Sequence, residues 1–414
     1  MTSTDTLVPE PFGPLQGIRI LSTGVLIAAP FAAVLAAQMG AEVIQIERPG
    51  DGDAVWRNLG VRLPTKDGTG KVGTSWLQER RNSFHVTLDL SRPEGHDLFL
   101  RLASVSDIWM ESSKPGCYAR WGLDDTTVLA ANPRLVIAHV SGYGQTGDPE
   151  HVGRASYDMV GQAFGGMMNQ TGSPDPEPPI RAAPWTGDYI TALFTLWSSL
   201  AGYIHAQRTG QGQVIDVAQF ECLHATLAGT MIEYFQQGFV RERSGNRATA
   251  FQPGDTFRAK DGWVVVVGTG AVFDRLLPVL GLDPNDPRWQ QAHTELDSIP
   301  GIEFDAILRG WIAERTVKEV DRELNRAQVA CCPIMNSRDM GEDVHYRARG
   351  VHVEWDDEQV GRLRGTGVLP KFSHTPGKIW RGSVAVGGDN DRVYGKLLGL
   401  GTAELRELRE KKIL

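Results

Sequence analysis

The chain has 414 residues, with 42 Lys and Arg against 50 Asp and Glu and a formal net charge of −8. That length supports two or three domains with sizeable cores, and an acidic balance without long single-sign blocks argues against a nucleic-acid partner. The four cysteines, Cys117, Cys222, Cys331 and Cys332, form no Cys-x-x-Cys pair, which fits a reducing cytoplasm and no zinc ribbon. The polar N-terminal MTSTDTLVPEP carries no signal peptide, and no apolar run reaches membrane-spanning length without polar interruption, so a soluble cytoplasmic protein with no membrane partner is expected. The 47 glycines point to many tight turns.

In chain order, IRIL predicts a strand, Pro30 to Met39 a helix stopped by Gly40, and EVIQIE a second strand. This is a β-α-β unit, for which a parallel sheet with a right-handed crossover is expected. The dinucleotide fingerprint Gly-x-Gly-x-x-Gly is missing after IRILST, where Gly24 is followed by Val-Leu-Ile, so the pyrophosphate cradle of an NAD enzyme is absent. Residues 49–82 read as a surface loop. FHVTLDL, SRPEGHDLFLRLASVS and DIWMES then read as strand, helix and strand, and SSKPGCYARWGLDD as a loop with a short helix. PRLVIAHVSGYGQTG reads as a strand ending in a glycine turn. The alternation argues for an α/β fold with an open, doubly wound, mostly parallel sheet, Rossmann-like in character. Ligands of such sheets sit at the carboxyl ends of the strands, where Arg48, Lys114 and SGYGQTG lie.

Residues 181–213 are the stretch on which a functional reading turns. Asp188 follows Gly187 and precedes an uncharged run from Tyr189 to His205, with Gly210 placed as a C-cap. That pattern predicts a buried helix with Asp188 at its N-terminus, where unpaired N–H groups and the dipole favour an ionised carboxylate. The ordinary role of such an Asp is a cap contributing about 1 kcal/mol. Gly187 would allow close approach of substrate to the backbone.

Beyond Gly212, QVIDVAQFECLHATLAGTMIEYF reads as a short strand leading into a helix. RERSGNRATAFQPGDTFRAKDGWVVVVGTG reads as a loop, a hairpin and a strand, followed by helices around 302–328. The expected organisation is a large domain over 1–224, a smaller α+β domain over 225–330, and a return segment over 331–414 begun by VACCPIMNS. Strand-like GVHVEW and a charged, solvated final helix, ELRELREKKIL, belong to that last part. The ten histidines show no metal-ligand spacing, and Gly-x-Ser-x-Gly is absent, so neither a metal site nor a serine hydrolase is expected.

Four segments together resemble the class III CoA-transferase family: GPLQGIRIL…AAPFAAVLAAQMGAEVIQIERPG, VTLDLSRPEGHDLFLRL, NPRLVIAHVSGYGQTG with YDMVGQAFGGMMNQTG, and GDYITAL…RTGQGQVIDVA. Within the family, ESSKPGCYARWG and LPKFSHTPGKIWRG are similar to the carnitine CoA-transferases, which act between crotonobetainyl-CoA and carnitine. The resemblance implies an interlocked homodimer of ring-shaped subunits, acyl-CoA and a small carboxylic acid as substrates, and no tightly bound cofactor. It implies Asp188 as the nucleophile. It also implies Arg48, Lys114 and Arg120, with Arg81 and Gln145, as residues holding coenzyme A, whose phosphates favour basic side chains. The formyl-CoA branch carries four consecutive glycines over its active site; here FQPGDTFRA has Gly254 alone, so a glycine-loop gate is not expected.

In the implied chemistry Asp188 attacks the donor thioester to give a mixed anhydride, CoA thiolate converts this to an aspartyl thioester, and the acceptor acid then retrieves the CoA. N–H donors at a helix N-terminus or glycine turn would stabilise each tetrahedral intermediate. The alternative within the same fold family is an α-methylacyl-CoA racemase, which needs a His-Asp base pair. Tyr157 stands where that His is expected, and a phenol with a pKa of about 10 is a poor base at neutral pH. A non-catalytic CoA-binding protein is the alternative of a different class. For a carnitine acceptor, Trp185, Tyr157 and Tyr189 are the aromatic residues near Asp188 that could face a trimethylammonium, although core packing is their ordinary role.

Overall fold

The computed structural model describes residues 6–414. The chain forms two compact units, one of Met1–Met167, Ala182–Met231 and Arg347–Leu414, the other of Met168–Arg181 and Ile232–Tyr346. The longer stretch of the second unit, Ile232–Tyr346, begins and ends later than the expected 225–330, and the unit also takes in the earlier segment Met168–Arg181.

The first unit is built on six strands: β1 (Arg19–Ser22), β2 (Glu42–Glu47), β5 (Phe84–Thr87), β6 (Ile108–Glu111), β7 (Val136–Ser141) and β8 (Gln213–Ala218), with a hairpin of β3 (Arg62–Pro64) and β4 (Lys71–Gly73) inserted between β2 and β5. The six pair in the order β5-β2-β1-β6-β7-β8, every pair parallel. The chain starts at the centre, winds outward through β2 and β5, then returns to wind the other way through β6, β7 and β8. The expected doubly wound α/β sheet is therefore present, with its switch point between β1 and β6. Strands β1, β2, β5, β6 and β7 are almost wholly buried, as parallel strands covered on both faces must be, whereas the edge strand β8 is exposed over much of Gln213–Asp216 and buried only at Val217 and Ala218.

Helices cover both faces. Ala28–Gln38 and Thr186–Thr209 pack against one, through a cluster that includes Ile20, Ala33, Val136, Ala192 and Ala206. The alanine-rich first helix lets its backbone lie close to the sheet. On the other face Pro93–Ser104 and the C-terminal helices Asn390–Leu398 and Thr402–Glu410 pack through Leu98, Phe99, Trp109, Tyr394 and Leu405. The charged residues of ELRELREKKIL are exposed, as expected, while its apolar residues Leu405, Ile413 and Leu414 are buried in this cluster.

The second unit has an antiparallel sheet of β9 (Gly254–Arg258), β10 (Trp263–Val267) and β11 (Ala330–Pro333), in the order β11-β10-β9. Its own core holds Phe257, Val264, Phe273, Phe304 and Leu324. ACCP at 330–333, expected to return the chain to the large domain, instead completes this sheet by pairing with β10. A two-stranded hairpin, β12 (His352–Asp357) with β13 (Gly361–Thr366), follows in the first unit.

Several charges are buried in the first unit. Arg57 donates to both carboxylate oxygens of Glu47 (2.5 and 2.9 Å), His85 Nδ1 lies 3.0 Å from Glu47 Oε1, and the Arg57 guanidinium stacks 3.7 Å over the Trp76 ring. Burial alone would raise the Glu47 carboxyl, but His85 and Arg57 outweigh it and hold the group far below the usual carboxylate range. A depressed carboxylate stabilises the fold above its unfolded-state pKa of about 4.3 and loses that contribution as pH falls. Glu47→Gln is therefore expected to cost about 3 kcal/mol at neutral pH, and less at about pH 3.5. Urea unfolding at both pH values checks this; an equal loss at each would contradict it.

Candidate active site

The loops leaving β1, β6 and β7 converge at the switch point on a pocket of about 250 Å³. Val25–Ala28 after β1, Ser112–Pro115 after β6, Ser141–Gly144 after β7 and the segment Gly153–Tyr157 line it, together with Asp188 and Gln219. The carboxyl ends of a doubly wound sheet are where this topology leaves a crevice. The helix Ala28–Gln38 begins at the pocket wall with no side-chain cap, so its first amides are available to an anion or a carbonyl oxygen. Leu26, on the same wall, holds a left-handed φ of +60°, a strained conformation for a branched residue. Its N–H donates to Asp53 Oδ2 (2.8 Å) and its carbonyl accepts from Arg80.

Asp188 is half-buried in the first turn of Thr186–Thr209. It is not the cap. Trp185 is at the N-cap and makes no capping bond, and the Asp188 N–H is satisfied by Asp158 Oδ1 (3.1 Å), supplied by the separate helix Asp158–Phe164. The Asp188 side chain is thus released from capping. Gln219, the first residue of the helix after β8, donates from Nε2 to Asp188 Oδ1 at 2.5 Å. Among the described residues no hydrogen bond reaches Oδ2.

The electrostatics also differ from expectation. Burial, then the Asp158 carboxylate, and further away Glu79, push the Asp188 carboxyl up to about 7, while the Gln219 hydrogen bond pulls the other way. Among the described residues the helix N-terminus supplies no hydrogen bond to the Asp188 carboxyl, and the Asp188 N–H is paired with Asp158. Gly187 also has another role than the one expected. A Cβ there would meet Asp158 Oδ1 at 3.0 Å and Gln162 and Leu223 at 3.2 Å, so the glycine makes room for protein rather than substrate.

Of the basic residues considered, Lys114 lines the pocket with Asp188. Arg48, at the end of β2, and Arg120, ending the short helix Cys117–Arg120, are exposed and do not line it. Arg81 is 1 % exposed, donates to the Thr366 carbonyl (2.8 Å) and stacks 4.5 Å over Trp355. Its guanidinium ties the β12–β13 hairpin to the body of the unit, which removes it from the phosphate-binding candidates. Gln145 lies outside the main pocket, in a neighbouring one of about 150 Å³ with Lys114, Cys117 and His139. Burial opposes a charge on His139, but Asp125 and Glu111, 2.8 and 2.7 Å from its two ring nitrogens, hold it up at about 9.

The aromatic residues separate. Tyr157 is 67 % exposed and lines the pocket with Tyr143. Trp185 packs edge-on against Trp56, and Tyr189 packs against Phe31 while donating its hydroxyl to Glu79 (2.5 Å), so neither contributes to an aromatic cage. Sequence reasoning missed Asp158, Gln219, Arg154 and the serines of the pocket wall. Asp158 was adjacent to the tyrosine that attracted attention, and Gln219 carried only the weak signal of a polar residue opening a helix just after a strand.

A carboxyl raised in the folded state contributes stability below its unfolded pKa and loses it as pH rises through the folded value. Asp188→Asn is therefore expected to raise the melting temperature over the native chain at pH 8, and to raise it distinctly less at pH 5, where only part of the window between about 3.9 and about 7 has been crossed. Differential scanning calorimetry at both pH values checks this; an equal shift at each would contradict the raised carboxyl.

Residues 15–390 match the model of CoA-transferase family III. Among curated proteins, the chain is 36 % identical to the bile acid CoA-transferase BaiK of Clostridium scindens, over 97 % of this chain and 90 % of that protein. It is 32 % identical to an L-carnitine CoA-transferase of Proteus mirabilis (99 % and 98 % covered) and 34 % identical to a succinyl-CoA–D-citramalate CoA-transferase of Chloroflexus aurantiacus (98 % and 99 %). The likeness to carnitine enzymes is thus shared with enzymes of other acids. A solved CAIB/BAIF family protein from Brucella suis superposes with a TM-score of 0.81 at 26 % identity, over 93 % of this chain and 100 % of that one. Full-length likeness to enzymes that move CoA between acids agrees with a pocket at the switch point and a carboxylate in its wall: the chain belongs to CoA-transferase family III, enzymes whose substrates are CoA thioesters.

Proposed function

We propose that this enzyme transfers CoA from an acyl-CoA to a free carboxylic acid through covalent intermediates on Asp188. The observation that carries this reading is a half-buried carboxylate in the pocket wall, freed from helix capping, with one oxygen held by Gln219 and no hydrogen bond to the other among the described residues. In the ionised form Oδ2 attacks the donor thioester carbonyl and expels CoA thiolate, leaving a mixed anhydride. The thiolate attacks Asp188 Cγ and releases the donor acid. The acceptor carboxylate then attacks Cγ and expels the thiolate, which finally attacks the acceptor carbonyl and frees Asp188. Thioester replaces thioester, so the sequence needs no external energy source.

Lys114 and Arg154, both lining the pocket, are the cations we assign to CoA phosphates or to the acceptor carboxylate. Arg48 and Arg120 stay proposals for the outer part of the CoA molecule. A carnitine-like acid is one candidate acceptor, with Tyr143 and Tyr157 as the faces open to a trimethylammonium; bile acids and hydroxy diacids are suggested by the relatives. Tyr157 in the pocket, where a racemase would need a histidine base, supports transfer over racemisation.

We also propose self-association. Leu193, Trp197 and Ile204 on the long helix, and Met159, Val160 and Phe164 on the helix after Tyr157, are exposed large apolar side chains, a pattern typical of a covered surface. That supports the interlocked homodimer the family resemblance implies. Four free cysteines support a cytoplasmic location, and no helix among the described residues is long and apolar enough to cross a membrane.

Incubation with acyl-CoA followed by hydroxylamine is expected to convert Asp188 alone to a hydroxamate, seen in the peptide mass. Asp188→Ala should give no adduct and lose about 10⁴-fold or more in kcat. An unmodified Asp188, or an active Asp188→Ala, would contradict the reading. Because the nucleophile must be ionised, kcat/KM is expected to rise tenfold per pH unit on the acid side and to level off above about pH 7. A profile already flat at pH 5 would contradict the raised carboxyl.

A further inference from the structure

We propose that Gln219 is a catalytic residue, the hydrogen-bond donor to the oxyanion that forms on Asp188 Oδ1 whenever Cγ is attacked. This rests on the covalent reading of Asp188. In two of the four steps the electrophilic carbon belongs to the enzyme. When CoA thiolate attacks Cγ of the anhydride, the Cγ=Oδ1 electron pair moves to Oδ1, then returns as the donor acid leaves with the former Oδ2. When the acceptor carboxylate attacks Cγ of the aspartyl thioester, charge again passes through Oδ1 and returns as CoA thiolate leaves. Oδ1 is the one oxygen kept throughout. A donor fixed on it stabilises both tetrahedral intermediates, as a donor aimed at developing charge does in other acyl transfers.

The structure fixes that donor. Gln219 is 5 % exposed and its Nε2 lies 2.5 Å from Asp188 Oδ1. Its amide is seated against Gly161: a Cβ at Gly161 would lie 2.1 Å from Gln219 Oε1 and 2.5 Å from its Cδ. Gly161 is in mid-helix, where glycine is unfavourable relative to alanine, so space for this amide gives the glycine a reason. The Asp188 N–H is itself bonded to Asp158, and among the described residues Gln219 is the hydrogen-bond donor to Oδ1. Asp158 and Glu79 are the other charged groups that act on Asp188.

Two variants test this: Gln219→Met, which keeps length and removes the donor, and Gly161→Ala, which keeps Gln219 and removes its space. Rapid-quench mass spectrometry measures the rates at which the aspartyl–CoA adduct forms and is discharged by an acceptor acid. Gln219→Met is expected to slow both by about 10²-fold and to lower kcat equally, with the KM for acyl-CoA within about twofold. Gly161→Ala is expected to shift the same rates in the same direction. Wild-type rates in Gln219→Met would overturn the proposal while leaving Asp188 as nucleophile; should that variant not fold, wild-type rates in Gly161→Ala do the same. Absence of any adduct on Asp188 in the native enzyme would overturn the covalent reading and this proposal together.

Discussion

Asp188 sits where two requirements oppose each other. A nucleophilic carboxylate has to be ionised, yet its mixed anhydride survives only where water is scarce, and the same scarcity favours the protonated acid. The structure balances the two within one side chain. Burial and the neighbouring Asp158 carboxylate raise the group to about 7, and the Gln219 amide opposes them. A carboxylate poised there is ionised in a large fraction at neutral pH. It is also more basic than the carboxylates it exchanges with, and so a better nucleophile. Asp158, from another helix, takes the Asp188 amide at the helix N-terminus.

That balance depends on walls held still by buried charge. Glu47 gathers Arg57 and His85 and also accepts the Asp53 N–H (3.0 Å), and Asp53 in turn accepts the N–H of the strained Leu26 on the pocket wall. Strain of that kind persists only where the surroundings over-determine it. On the opposite side Glu111 receives the N–H of Ser113 and pairs with His139, which sets the turn carrying Lys114. These ionic clusters cost desolvation, and they position the loops that line the pocket.

The sheet was legible because its strands are short apolar runs separated by strongly patterned helices and punctuated by glycines, and the winding follows from β-α-β units with little freedom. Asp188 was legible as a lone acid before an uncharged helix. Its partners were not. Asp158 and Gln219 lie 30 and 31 residues away and meet Asp188 only after two helices pack, and no local pattern encodes that meeting. Arg81 was expected at coenzyme A only through the family resemblance, and its place under the hairpin shows only in its stacking on Trp355, distant in sequence. The ACCP segment misled because a strand that completes one small sheet has the same composition as a connector. The buried final Ile413 and Leu414 were masked by the charged run before them.

The central claim, that CoA passes through a bond to Asp188, is tested most directly by oxygen tracing. With an acceptor acid carrying heavy oxygen in its carboxylate, attack on Asp188 Cγ leaves one acceptor oxygen on the enzyme when the acyl group departs as its CoA ester. A single turnover is therefore predicted to place one heavy oxygen in the peptide containing Asp188 and nowhere else. A fully active enzyme whose Asp188 peptide stays unlabelled would contradict the account.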